Sequence, residues 1–259
     1  MDMLQLQNID MRFNVGTVNE TEVFRDFNLH IAEGQFVSVI GSNGSGKTTT
    51  LNLICGSMSP TSGDILLDGK SILRMSEYER ARFIGRVFQD PSKGTSPSMT
   101  ILENMALADN KGKAFGLSRG VDKKRRESYK TQLEQLQLNL EDKLDVKVGA
   151  LSGGQRQALS LLICTMTPIR LLILDEHTAA LDPQTSERIM ELTDRIVREK
   201  KLTTLMVTHN LRYAVEYGNR IIMMNKGEAV IDATGEDKAQ IEIKDLVQKF
   251  SEISIELGN

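Results

Sequence analysis

Short apolar runs alternate with amphipathic stretches along most of this chain, which predicts an α/β protein built on a largely parallel sheet. Residues 34–40 form one such run and lead directly into a Gly-rich turn at 41–46. A helix is expected over 47–54, closed by Gly56 and the turn residues around Pro60. The segments Thr61-Ser62-Gly63-Asp64, Ile65-Leu66-Leu67 and Asp68-Gly69 read as short antiparallel strands with tight turns. Further strands are expected at 171–174, 203–208 and 221–224, the last turning back at Asn225-Lys226-Gly227. Between them Ile189, Leu192, Ile196 and Val197 recur at i, i+3, i+7 and i+8, the stripe of a helix packed on a sheet. Residues 90–150 differ in character, opening with the loop residues Pro91, Gly94 and Pro97 and then turning polar and helical. There Tyr129, Leu133, Leu136 and Leu140 predict one apolar helix face, so a helical insertion in the α/β core is expected. No internal repeat is visible.

Composition narrows the class. With 259 residues, 40% hydrophobic and 26% charged, the chain has the make-up of a folded protein of one large domain or two lobes, not of a disordered one. The richest apolar region, 159–174, is broken by Thr165, Thr167, Pro168 and Arg170, so no membrane span is expected. Residues 1–10 lack the basic start and continuous apolar run of an export signal. Two cysteines, Cys55 and Cys164, make no disulfide framework, and a reduced cytosolic setting is expected. A net charge of −3 provides no overall basic field, so no nucleic-acid partner is expected. One local anomaly stands out: Lys111, Lys113, Arg119, Lys123, Lys124, Arg125, Arg126 and Lys130 outnumber Asp122 and Glu127. It reads either as a solvated face or as a contact for an acidic partner or lipid headgroups.

The chemistry begins at Gly41-Ser42-Asn43-Gly44-Ser45-Gly46-Lys47-Thr48, which fits G-x-x-x-x-G-K-[ST] after an apolar strand and at the start of a helix. Glycines in such a loop let backbone N–H groups converge on phosphate oxygens, and the helix N-terminus adds partial positive charge. Lys47 would reach the β- and γ-phosphates and the Thr48 hydroxyl suits Mg²⁺. Leu171-Leu172-Ile173-Leu174-Asp175-Glu176 is an apolar run ending in two acids, the form of a buried parallel strand delivering carboxylates at its C-terminal edge. Asp175 would hold Mg²⁺ through water, and Glu176 would accept a proton from attacking water. Leu151-Ser152-Gly153-Gly154-Gln155 lies about 20 residues earlier and reads either as a second anion site or as a plain helix cap made by Ser152.

In this order the phosphate loop, Leu-Ser-Gly-Gly-Gln, the strand ending Asp175-Glu176, and Thr208-His209 resemble the ATP-binding cassette ATPases over most of the chain. The resemblance implies a P-loop NTPase core with a mainly parallel sheet, an N-terminal antiparallel β subdomain and an inserted helical subdomain. It implies a core of residues 1–89 and 165–259, with residues 90–164 forming the helical subdomain that carries Ser152, Gly153, Gly154 and Gln155. Phe13 stands where the family stacks an aromatic on adenine, and Thr49 completes the phosphate set that runs from Gly41. Gln89, in Val87-Phe88-Gln89-Asp90, looks like the glutamine that senses Mg²⁺ and the γ-phosphate. Ala180-Leu181-Asp182 resembles the loop that crosses to a partner subunit, and His209 the histidine on the γ-phosphate. The family works as a head-to-tail pair holding ATP between one phosphate loop and the other subunit's Leu-Ser-Gly-Gly-Gln. A homodimer, ATP with Mg²⁺, separate membrane permease subunits, and a solute-binding protein for an importer are therefore implied, with the cassette peripheral on the inner membrane face. Two features depart from the family pattern: His177 replaces a usual proline, and Ala158 and Ile163 replace common arginines. Together with Ser96-Pro97-Ser98-Met99-Thr100-Ile101 they look similar to importer cassettes for hydrophobic amino acids. A soluble cassette that remodels an assembly such as an iron–sulfur scaffold, or an exporter ATPase, would use the same ATP site.

Overall fold

Alternating burial builds the first strand, β1 (Asp2–Phe13), in which Leu4 and Leu6 and then Ile9 and Met11 face inward. The switch from even to odd positions falls at a register irregularity between Leu6 and Ile9, where Asn8 takes a left-handed φ of 50°. The computed structural model describes residues 2–113 and 120–256. β1 is followed by β2 (Thr21–Ala32), β3 (Phe36–Gly41), α1 (Lys47–Cys55), β4 (Ser62–Leu67), β5 (Lys70–Ser71) and a short α2 (Glu77–Arg80). Four of these strands make the expected antiparallel sheet, in the order β2-β1-β4-β5. Strand β3, by contrast, is buried at every position, as a strand covered on both faces must be. Arg80 is buried and closes the far end of α1, its Nη1 donating to the carbonyls of Leu53 at 2.7 Å and Ile54 at 3.1 Å. A cation on those last carbonyls suits the negative end of the helix dipole.

The chain then enters a second compact unit, Arg82–Lys200. Its elements are β6 (Ile84–Val87), α3 (Ile101–Asp109), α4 (Arg126–Glu134), α5 (Gly153–Thr165), β7 (Leu171–Asp175) and α6 (Pro183–Lys200). Strands β6 and β7 pair in parallel, Val87 opposite Leu174. The apolar stripe expected on one helix is split: α4 carries only Tyr129 and Leu133, while Leu136 and Leu140 are buried from the segment after it. Gln137 and Asn139 take φ values of 55° and 54°, which a helix cannot accommodate, so the spacing survives while the helix does not. Part of the basic run is paired within this unit. Lys113 and Arg125 both pair with Asp109, Arg126 grips Asp145 with two N–H groups, and Lys130 faces Glu127. Burial lowers the pKa of Lys111. Arg119 and the side chain of Lys123 lie outside the described residues. This arrangement favours the solvated-face reading.

The chain returns to the first unit, Met1–Ala81 with Lys201–Asn259, as β8 (Thr203–Val207), α7 (Leu211–Glu216), β9 (Arg220–Asn225), β10 (Glu228–Thr234), α8 (Gly235–Gln240) and α9 (Ile243–Glu256). β3 pairs in parallel with both β8 and β9, and β10 folds back antiparallel on β9. Ile40, Ala214, Ile221, Met223, Leu246 and Ile253 form an apolar core that seats α7 and α9 on these strands. The sequence places its boundaries at 89/90 and 164/165, whereas the compact units part at 81/82 and 200/201, so that β6, β7 and α6 group with the inserted helices.

Candidate nucleotide-binding site

In the first unit the phosphate loop leaves the C-terminal edge of β3, the edge at which ligands gather in parallel sheets. Gly41 has a φ of 153°, and a Cβ there would lie 2.3 Å from the Met224 carbonyl oxygen. Gly46 has a φ of 104°, and a Cβ would meet the Phe24 ring at 2.6 Å. Glycine is therefore dictated at both ends of the loop by backbone and packing together. Gly44, at φ 77°, faces open space, so the loop is left uncovered there. Ser42 and Asn43 are exposed and Ser45 is buried, its carbonyl held by the Gly227 N–H at 3.1 Å from the β9–β10 turn.

Gly46 is the N-cap of α1 and, having no side chain, offers none to the first N–H groups of the helix. Those groups and the dipole behind them suit an anion. Lys47, buried at the same point, curls over the loop and donates to the carbonyls of Gly41 and Ser42, each at 2.8 Å. Thr48 is exposed and Thr49 half-buried. Pairing of Val39 with Val207 brings Thr208 and His209 off the same sheet edge as the loop. Thr208 donates its N–H to Val39 at 3.1 Å, and His209 is exposed beside it. Phe13 ends β1, half-buried opposite Thr21.

The second unit assembles the other candidates at its own strand edge. Because Val87 lies opposite Leu174, the exposed Gln89 and the pair Asp175-Glu176 leave β6 and β7 together. Glu176 takes a left-handed φ of 48°, a strained state for a non-glycine residue and a recurrent feature of working sites. The loop that carries Gln89 is tied down by a residue absent from the sequence reading. Gln157, buried on α5, donates Nε2 to the Phe88 carbonyl at 3.0 Å.

Ser152 makes the reciprocal cap of α5, accepting from the Gln155 N–H at 3.2 Å while Gln155 Oε1 accepts from the Ser152 N–H at 3.3 Å. Ser152 is nonetheless exposed, so the capping role leaves it accessible. A Cβ on Gly153 would lie a tight 3.3 Å from Leu181 Cδ2, and one on Gly154 would sit only 2.4 Å from Thr185 Cγ2. Asp182 is exposed and serves α6, accepting from the Thr185 N–H at 3.0 Å, and the Thr185 hydroxyl and N–H hold its carboxyl below the usual range. The Gly154 contact yields a prediction. Gly154→Ala should destabilise the protein by about 1–3 kcal/mol through overpacking, and Thr185→Ser, which deletes the clashing methyl and keeps the hydroxyl, should restore most of the loss. Thermal melts of the single and double variants decide it, and a double variant no better than Gly154→Ala would show that the contact is not the cause.

The parts present are those of a P-loop nucleoside triphosphatase. A family model described as ABC transporter matches residues 24–179. A tyrosine transport ATP-binding protein of Clostridioides difficile (strain R20291) is 48% identical over 248 residues, spanning 96% of this chain and 98% of its own. The thiamine import ATP-binding protein ThiQ of Vibrio parahaemolyticus serotype O3:K6 is 35% identical over 219 residues, 84% of this chain and 86% of its own. Among solved structures, the ATP-binding cassette MJ0796, a dimer in a post-hydrolysis state bound to ADP and Pi, superposes with a TM-score of 0.75 at 31% identity. That match covers 90% of this chain and 98% of the other. The chain belongs to the ABC transporter family. It is an ATP-binding cassette ATPase.

Proposed function

We propose that this cassette hydrolyses ATP to drive uptake of an amino acid through separate membrane permease subunits. The observation that carries this reading is the 48% identity, across nearly the whole of both chains, to a tyrosine transport ATP-binding protein. No helix among the described residues is long and apolar enough to cross a membrane. The cassette then sits in the cytoplasm against the inner membrane face, with a solute-binding protein delivering the amino acid from outside.

ATP in this reading lies between two copies of the chain. Gly41 to Thr49 of one copy hold the phosphates, Lys47 neutralises them, Phe13 stacks on the adenine, and the exposed Ser152 with Gly153, Gly154 and Gln155 of the other copy donates to the γ-phosphate. Asp182 lies close to the crossing point of the two copies. Thr48, Asp175 and Gln89 offer a hydroxyl, a carboxylate and an amide carbonyl, the hard oxygen donors that Mg²⁺ takes beside phosphate, and so they fit that ion. When bound, Mg²⁺ neutralises charge on the transferred phosphoryl group. Glu176 accepts the proton of the attacking water, Gln89 holds that water in line, and His209 donates to the γ-phosphate.

Affinity purification of the tagged chain from detergent-solubilised membranes should recover a polytopic membrane protein. The ATPase rate of the complex in proteoliposomes should rise with an amino acid and its binding protein. Recovery of soluble partners alone would sink the transport reading in favour of an assembly-remodelling ATPase.

A further inference from the structure

Arg86 has no role in the reading above, yet it holds the carboxylate on which that reading places the metal. Its Nη2 donates to Asp175 Oδ2 at 2.6 Å, with side chains only 13% and 17% exposed. The contact follows from register. Arg86 lies opposite Ile173 on the neighbouring parallel strand, so Asp175, two residues on, shares its face. Phe88, two residues beyond Arg86 and just past the end of its strand, comes close too, the guanidinium lying 4.8 Å from its ring centroid. The cation is thus fixed between an aromatic ring and the carboxylate. Oδ2 of Asp175 is engaged while Oδ1 remains as the second acceptor of the group.

We propose that Arg86 holds the charge of Asp175 in reserve, so that a divalent cation is taken up at this carboxylate together with a nucleotide and not before it. The inference rests on reading Asp175 as the metal carboxylate. A bare divalent ion approaching Asp175 meets a guanidinium a hydrogen bond away that cannot lose its proton. In a half-buried setting the repulsion between the two cations is weakly screened by salt. Paired with Arg86, the Asp175 carboxylate offers a second cation far less attraction than it would alone, whatever the neighbouring Glu176 adds. Nucleotide phosphates reverse this balance, since they bring the negative charge that Asp175 alone lacks, and the metal arrives already bound to them. Lysine at this position would keep the charge but lose the planar fork that matches a carboxylate and stacks on a ring.

Electron paramagnetic resonance titration of Mn²⁺ into the nucleotide-free full chain reads this directly, without turnover. Wild type should bind Mn²⁺ weakly. Arg86→Gln and Arg86→Met, two neutral variants checked for folding by thermal melts, should bind it at least about tenfold tighter once the like charge is gone. Arg86→Lys should stay near wild type. Arg86→Gln combined with Asp175→Asn should lose the whole gain. Equal or weaker Mn²⁺ binding in both folded neutral variants overturns the proposal and leaves Arg86 as a brace between two strands. Persistence of the gain after Asp175→Asn would instead show that the metal sits elsewhere, overturning the metal-site reading and this inference with it. Nucleotide-free wild type binding Mn²⁺ as tightly as the nucleotide complex would also overturn it.

Discussion

Glu176→Gln is expected to leave ATP binding intact and to slow hydrolysis by about 10²–10⁴-fold, the usual contribution of a positioned general base. The substitution keeps size and hydrogen-bonding capacity and removes only the ability to accept a proton. Its geometry argues for a separable effect. Glu176 stands one residue beyond β7 in the second unit, whereas the glycines and Lys47 proposed to hold the phosphates belong to the first. Lys47→Ala should therefore fail differently. It removes a buried ammonium that already bridges the carbonyls of Gly41 and Ser42, so it should weaken nucleotide binding itself and loosen the loop. Sedimentation with Mg-ATP should show Glu176→Gln accumulating as a nucleotide-dependent dimer and Lys47→Ala remaining a monomer. Hydrolysis at the wild-type rate by Glu176→Gln would place the base elsewhere and turn attention to His209 and Gln89 as the groups that position the water.

The phosphate loop was legible in the sequence because its constraints are local. Gly41 and Gly46 are required by backbone angle and close approach, Lys47 follows at fixed spacing, and a buried strand and a helix bracket them. The acids after 171–174 were legible for the same reason, as a continuous apolar run of that length marks a covered strand whose end is a sheet edge. What stayed hidden depends on pairing between distant segments. Nothing near Arg86 in the chain announces Asp175, since the contact exists only through the register of β6 on β7. Gln157 likewise reads as one more polar residue on a helix until its amide is seen on the Phe88 carbonyl. The stripe through Leu136 and Leu140 misled because burial spacing is preserved when a chain leaves a helix by left-handed turns at Gln137 and Asn139. From sequence the segment 152–155 read as an anion site or as a plain helix cap, and the approach of Gly154 to Thr185 adds a packing constraint that neither reading contained.

Acid should destabilise this protein through His177, the residue that stands where proline is usual. The side chain is 2% exposed, and burial pushes its pKa down to about 4 from 6.5. Its Nε2 lies 3.1 Å from the Thr193 hydroxyl on α6, and that hydroxyl donates to the Ile189 carbonyl at 2.7 Å. With the hydroxyl proton committed, Thr193 can only accept, so the neutral imidazole carries its proton on Nε2 and joins the segment after Glu176 to the middle of α6. Above about pH 6.5 neither the folded nor the unfolded chain is protonated here, and below about pH 4 both are. Between those limits the unfolded chain takes up a proton that the folded one excludes, so stability falls as pH falls through this window, by up to about 3 kcal/mol. His177→Gln keeps an N–H donor at similar reach and cannot titrate, so it should lose less stability than wild type by about that amount. Denaturant unfolding of both chains at pH 7 and pH 4.5 measures the difference. Parallel losses in the two would mean that other groups govern the acid limb and that His177 is protonated in the folded state at little cost.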